Sequence, residues 1–240
     1  MYRVWAIFKK EFMSYFNSLM AYFFLVVFLA AVNMLFIWFS FFQSRTAVMT
    51  DYFEFVIIAL WLFIPAITMR MWAEEKNLGT LELLMTMPVR DIEAVLGKFL
   101  ASFAFLALTL ALSFVTIPMA LAYVGDVDWG PIIGGYLGLV FLGSSFIAVG
   151  LAISSMTRNQ FIAFLLTSII CLAFLGVGEL FQLVPLPGWI LNLVAYLDAG
   201  SHFDSIGRGV IDSRDIIYYL SVICIFLFLN YRAVASRRWK

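Results

Sequence analysis

Few residues in this chain of 240 have types and spacings that could do chemistry. The single histidine, His202, stands in the run GSHFDS, beside Ser201 and two positions before Asp204. Hydrolytic activation of a hydroxyl needs a histidine held between nucleophile and carboxylate. Immediate neighbours on one loop do not meet that geometry, so a solvated loop histidine is expected. The two cysteines, Cys171 and Cys224, both lie in apolar runs and are expected to be inert core thiols. No GxxxxGK[ST] phosphate loop occurs, which excludes ATP hydrolysis by that route within this chain. What remains is a stretch suited to recognition rather than catalysis, EEKNLGTLELLMTMPV over Glu74–Val89. It sets two carboxylates, a lysine and a glycine ahead of a short apolar run stopped by Pro88.

The surroundings of that stretch are those of a membrane protein. The chain is 64% hydrophobic and 12% charged, where soluble domains run near a quarter charged. The formal net charge of zero gives no case for nucleic acid. A spanning helix needs roughly 20 mostly apolar residues. Six segments qualify: Met20–Phe42, Phe55–Trp72, Phe99–Val124, Ile132–Ile153, Phe161–Gly178 and the short Ile216–Tyr231. The opening MYRVWAIFKKEF has neither an apolar core nor a small-residue cleavage site, so it is not expected to be a removable signal.

Lysine and arginine placement orients the spans. Arg3, Lys9, Lys10, Arg70, Lys76, Arg90, Lys98, Arg158, Arg232, Arg237, Arg238 and Lys240 fall on one side, and only Arg45, Arg208 and Arg214 on the other, 12 against 3. Both termini are therefore expected in the cytoplasm. Before the first span, Trp5, Phe8, Phe12, Tyr15 and Leu19 recur at three- and four-residue steps, with Arg3, Lys10, Ser14 and Asn17 largely opposite. Residues 1–19 thus read as an amphipathic elbow helix in the cytoplasmic interface, either a topology anchor or also a contact for a cytosolic partner. On the outside, residues 179–215 form the one long connection. Its VPLPGWILNLVAYL is too short to span and reads as a re-entrant pair of short helices anchored by Trp189.

The spans carry almost no charge, whereas ion-coupled pumps place ionisable groups at mid-membrane. Energy for any uphill movement must come from elsewhere. Ser and Thr residues in the spans read as helix-packing positions. Gly134, Gly138 and Gly150 permit close helix approach, within one chain or between two. Pro65 and Pro118 fit either kinks or plain packing. Within the cytoplasmic segment 73–97, Gly79 breaks the chain, Thr80 caps the next turn, Glu82 favours the helix N-terminus and Pro88 ends it. Leu78, Leu81 and Met85 share one face, which Leu84 widens. A helix of about seven residues does not stand alone in water. It must dock, either back onto the membrane surface or into a separate cytosolic subunit.

The acidic pair Glu74-Glu75, the run GTLELLMTMPV and the Gly97-Lys98 pair entering the third span resemble the permease subunits of type-2 ABC transporters. The elbow helix, six spans and long last external connection before GVIDSRDIIYYLS follow the same order over residues 1–240. Within that superfamily the chain looks most like the gliding-motility and multicopper-enzyme-maturation permeases, which lack a fused ATPase. The resemblance implies an all-α integral membrane domain of the inner (plasma) membrane. It also implies a coupling helix at Gly79–Met87 that sits in a groove of a nucleotide-binding subunit. Glu74, Glu75, Gly79, Thr80, Leu81, Glu82, Leu84, Met85 and Pro88 would serve that contact. Two permease chains would form one export pathway, with Phe55, Trp61, Phe63, Phe161 and Phe164 of the second and fifth spans along it. The partner ATPase would hold ATP and Mg, this chain would bind no cofactor, and an accessory external subunit is compatible with the pattern. The alternative is a non-transporting membrane scaffold or force-relay subunit of an ATPase-linked assembly.

Overall fold

The computed structural model describes residues 2–39, 49–80, 89–124, 129–182, 196–209 and 212–236, the side chains of 117–124 and 178–182 excepted. Among these residues every regular element is a helix. In chain order they are α1 (Tyr2–Phe16), α2 (Leu19–Leu35), α3 (Met49–Thr68), α4 (Arg70–Asn77) and α5 (Asp91–Val124), then α6 (Trp129–Met156), α7 (Gln160–Gln182), α8 (Ala199–Gly207) and α9 (Ser213–Ala235). Six helical stretches are long and apolar enough to cross a membrane: Leu19–Phe39, Met49–Asn77, Asp91–Thr116, Trp129–Met156, Gln160–Val177 and Ser213–Ala235. These are the six spans read from the sequence. Helices are required there because hydrocarbon offers no partner to a free backbone amide or carbonyl.

The span ends differ from the sequence reading for local reasons. α5 starts at Asp91, eight residues before Phe99, because Asp91 and Glu93 occupy its first turn and the Glu93 carboxylate accepts the Arg90 N–H at 2.9 Å. Lys98, read as lying at the mouth of the span, is therefore two turns inside a helix. α9 gains its missing length at both ends, from Ser213 to Ala235, and Asp212 caps its start, accepting the Arg214 N–H at 2.9 Å.

α6 is the axis of the bundle. Its most apolar stretch is 83% buried inside the chain, against 22% for α2 and α7 and 17% for α9, whose outer faces are left for lipid or another chain. Glycines let the neighbours approach α6 closely. A Cβ at Gly150 would stand 2.1 Å from the Thr68 Oγ1 of α3. One at Gly134 would meet the Ile206 carbonyl of α8 at 2.5 Å, and one at Gly138 the Phe203 ring at 3.0 Å. All three positions are thus occupied by contacts within this chain. Membrane hydroxyls mostly bond back to their own helices, Ser102 to the Lys98 carbonyl at 3.1 Å, Thr109 to Phe105 at 2.8 Å and Thr167 to Ala163 at 2.7 Å. The Thr116 hydroxyl, which bonds back to the Ser113 carbonyl at 2.7 Å, also lies 3.1 Å from the Asn33 side-chain amide and so brings α5 against α2.

α8, against the start of α6, corrects the reading of His202. This residue is not a solvated loop histidine: it lies on a helix and is 9% exposed. Its Nδ1 lies 2.6 Å from Asp215 Oδ1 on α9, and its Nε2 lies 3.1 Å from the Tyr196 carbonyl. The Tyr196 carbonyl can only accept, so it suits an Nε2–H donor, while Nδ1 faces the Asp215 carboxylate. Tyr218 stacks on the ring at 4.2 Å between centroids. The partner of the histidine is 13 residues away rather than adjacent. The proposed first re-entrant piece, including Trp189, lies outside the described residues. Of the cysteines, Cys171 is buried and Cys224 is exposed, so only the first is a core thiol.

The close approach at Gly150 gives a direct test. Gly150→Ala should cost about 1–3 kcal/mol through overpacking against Thr68. Gly176→Ala, where a Cβ meets nothing within 4 Å, should be neutral or slightly stabilising. Thermal midpoints of the two variants in the same detergent should move in opposite directions or only the first should fall.

Candidate functional site

The described part of the acidic-apolar stretch leads away from α4, and α4 is fixed on three sides. Its start is a break in the second span. α3 runs through Pro65 to Thr68, the ladder opens at Met69, and the Ser154 side chain of α6 enters the gap. Ser154 Oγ accepts the N–H groups of Trp72 at 3.1 Å and Ala73 at 3.2 Å, and donates to the Met69 carbonyl at 3.0 Å. One hydroxyl has one donor and two acceptor sites, so all are used. Inserting a side chain into the ladder is a recognised cause of a helix break. Met69 itself keeps helical backbone angles and its N–H bonds the Pro65 carbonyl at 2.9 Å, so the interruption leaves none of these groups orphaned.

The second fixing point is a buried ammonium. Lys98 of α5 is 1% exposed and donates to Glu75 Oε1 at 2.8 Å, the Met71 carbonyl at 2.9 Å and Glu11 Oε1 at 3.1 Å. It lies 4.9 Å from the centroid of the Trp72 ring. Three oxygen acceptors use all three N–H bonds of the ammonium. The arrangement ties α1, α4 and α5 together through one group. Gly97 makes it possible: a Cβ there would come within 2.7 Å of Ile7 Cγ2, so only glycine lets α1 lie this close to α5.

The third is at the far end of α4. Lys76 Nζ donates to the Ser155 carbonyl and, at 3.4 Å, to that of Thr157, where α6 ends with unpaired carbonyls and negative dipole. Beside it Arg70 Nε donates to Glu74 Oε2 at 2.9 Å, within α4 itself. α4 then closes with the Leu78 N–H on the Glu74 carbonyl at 2.9 Å and Gly79 at φ +72°, a left-handed cap that favours glycine.

α1 is held more firmly than an interfacial anchor. Ile7 is buried, while Phe8, Phe12 and Tyr15 pack half-buried along α5; Trp5 and Leu19, expected on the same face, are 62% and 86% exposed. The Tyr15 ring stacks on Phe105 at 4.7 Å and its hydroxyl lies 3.1 Å from Ser102 Oγ. Burial pushes its phenol well above the ordinary range, so it remains a neutral hydrogen-bonding group.

The expected coupling residues divide accordingly. Glu75 faces inward to Lys98, Glu74 is paired with Arg70, and Gly79 and Thr80 are exposed at the end of α4. Thr80 Oγ1 donates back to the Glu75 carbonyl at 3.3 Å. Leu81, Glu82, Leu84, Met85 and Pro88 lie outside the described residues. Among the pathway residues, Trp61 Nε1 donates to the Ser168 carbonyl at 2.7 Å and so joins α3 to α7. Phe63 is buried between Phe28 and Phe105, with centroids 4.8 and 6.1 Å away. Phe55 and Phe164 are half-buried, and Phe161 is exposed on α7. Sequence reasoning missed Lys98 and Glu11 as a pair; the usable signal was a glycine directly before a lysine at the mouth of a span.

Removing the ammonium alone should be costly. Lys98→Ala leaves Glu75 and Glu11 largely buried without their shared cation, only the exposed Lys10 remaining 3.6 Å from Glu11, which should cost about 3–5 kcal/mol. The triple variant Lys98→Met, Glu11→Gln, Glu75→Gln should recover most of that loss. Thermal unfolding in one detergent should rank the triple variant above the single one.

The chain matches the model of the ABC-2 family transporter proteins over residues 44–229, which takes in α3 through most of α9. No curated protein matches the chain. With helices as its regular elements and six candidate spans among the described residues, and matched across most of its length, the chain belongs to the ABC-2 family transporter proteins and is a membrane permease of an ABC transporter.

Proposed function

We propose that this permease exports its substrate as one of two transmembrane halves, powered by a separate cytosolic ATPase subunit that presses on Gly79–Met87 as a coupling helix. The observation that carries the reading is the fixing of α4: Ser154, Lys98 and Lys76 hold the root of that segment against α6, α5 and α1. Push on a segment so rooted is delivered to three helices at once rather than absorbed in a loop. ATP and Mg belong to the partner, and hydrolysis is absent from this chain alone. Both termini and α4 face the cytoplasm of the inner membrane, as the basic-residue asymmetry of 12 to 3 supports.

Because Gly134, Gly138 and Gly150 are filled from within the chain, the second permease half meets another surface. The exposed row Phe161, Leu165 and Ile169 on α7 is the reading's candidate, continuous with the α3–α7 contact at Trp61. Cargo then passes along the side chains of α3 and α7.

The topology is tested by labelling single cysteines in intact cells, in a Cys224→Ala background. Ser201→Cys, exposed on α8, should react from outside, and Asn77→Cys, exposed at the end of α4, only after permeabilisation. The reverse pattern would sink the orientation and the coupling reading with it.

Coupling is tested by Leu81→Ala with Leu84→Ala. Each buried leucine contributes roughly 1.5–3 kcal/mol, so the pair should weaken retention of the ATPase by at least tenfold, or uncouple its hydrolysis, without affecting insertion. Full occupancy with coupled hydrolysis would mean that the segment rests on the bilayer. Retained occupancy and hydrolysis without export in the unmodified complex would support the scaffold instead.

A further inference from the structure

We propose that the cleft between α1, α2 and the α3–α4 break is a binding site for the headgroup of an amine-bearing zwitterionic phospholipid from the surrounding bilayer. The cleft encloses a cavity of about 320 Å³. Its lining is mixed: Ala21, Phe24 and Ile67 supply an apolar part, and Ser14, Ser18 and the Arg70–Glu74 pair a polar part. Its lining includes Ser18, Met20 and Ala21, where α1 gives way to α2, and the neighbouring Leu19 and Phe23 are exposed at the start of the first span. That is the depth at which an amphiphile changes from headgroup to chain.

The polar part suits a zwitterion. Arg70 makes one short contact, Nε to Glu74 Oε2 at 2.9 Å. Its other contacts are looser: 3.4 Å to Ser18 Oγ, 3.5 Å to Glu74 Oε1 and 3.6 Å to Met20 Sδ. The outer edge of the guanidinium therefore has donor capacity to spare for a phosphate, with the Ser14 and Ser18 hydroxyls beside it. Arg70 and Glu74 side chains are 35% and 33% exposed, so cation and carboxylate are presented together. Charge around the cavity cancels: Lys10, Arg70 and the underlying Lys98 against Glu11, Glu74 and Glu75. A neutral site with separated poles favours a phosphate with its own ammonium over a net anion. A primary ammonium can donate to Glu74, whereas a quaternary one has no N–H to give. The cavity also reaches Leu78 and Thr80, so an occupant touches the end of α4 from which the acidic-apolar stretch continues.

The test reads lipid retention and needs neither ATPase nor transport, so its failure is distinguishable from failure of the proposed function. The full chain is placed in nanodiscs of phosphatidylethanolamine, phosphatidylcholine and phosphatidylglycerol in equal parts, and retained lipids are counted by native mass spectrometry. We expect one phosphatidylethanolamine per chain, retained about tenfold over either other class. Arg70→Gln should lower retention about tenfold, and so should Ser14→Trp, which adds an indole to the lining from an exposed position of α1. Free glycerophosphoethanolamine should not compete, because it lacks the chain that meets the apolar part. Equal retention of the three lipids, preference for phosphatidylglycerol or phosphatidylcholine, undiminished retention in Ser14→Trp, or displacement by the free headgroup would each overturn the proposal.

Discussion

The Lys98 ammonium is the constraint on which the rest of the N-terminal end of the bundle depends. A buried, unpaired cation costs several kcal/mol, and Lys98 is almost wholly buried. The fold can tolerate it only if acceptors arrive from several directions at once. They come from Glu11 on α1, Glu75 on α4 and the Met71 carbonyl. Those three cannot be supplied by one element, so satisfying a single nitrogen fixes the relative placement of three helices. Gly97, the glycine at which α1 lies against α5, is a consequence of the same requirement. A hydrophobic contact would tolerate sliding along the helix; a three-acceptor ammonium does not.

The two ends of the molecule are organised on one principle by different groups. At one end charges meet at the root of α4, where Lys98 joins Glu11 and Glu75. At the other, His202 and Asp215 hold α8 to α9 under the stacked Tyr218 ring, while Tyr219 donates to the Ala199 carbonyl at 2.8 Å. Between them α6 is largely buried, and its partners touch it both through close approach at glycines and through rings, such as Phe53 on Tyr136 and Tyr219 on Phe141. In hydrocarbon such close contact is where packing energy is available, since lipid chains are as apolar as leucine.

How much of this was legible in the sequence follows from what each feature depends on. The six spans were legible because length and apolarity are local properties, and the glycine cap at Gly79 was legible because a left-handed turn has a local signature. Their ends were not, since Asp91 and Glu93 look like loop charges until they are seen to sit in a first turn. Lys98 was counted with the loop lysines for the same reason. Its burial depends on Glu11, 87 positions away, and no periodicity reports that distance. His202 was misjudged because adjacency to Ser201 and Asp204 was the only local cue, while its partner came from the next helix. Ser154 could not have been singled out among the membrane serines: its role exists only because Met69 interrupts the second span.

That interruption also sets a mechanical scale. α4 has 8 residues and so measures about 12 Å from the joint at Met69 to its tip. As a lever pivoting on the Ser154 hydroxyl, it turns a tilt of about 5° into a tip displacement of about 1 Å. A shift of that size is comparable with the slack in the Lys76 contacts to the Ser155 and Thr157 carbonyls, the second 3.4 Å long. A larger tilt must either be taken up by the lysine stem or carry the end of α6 along with it.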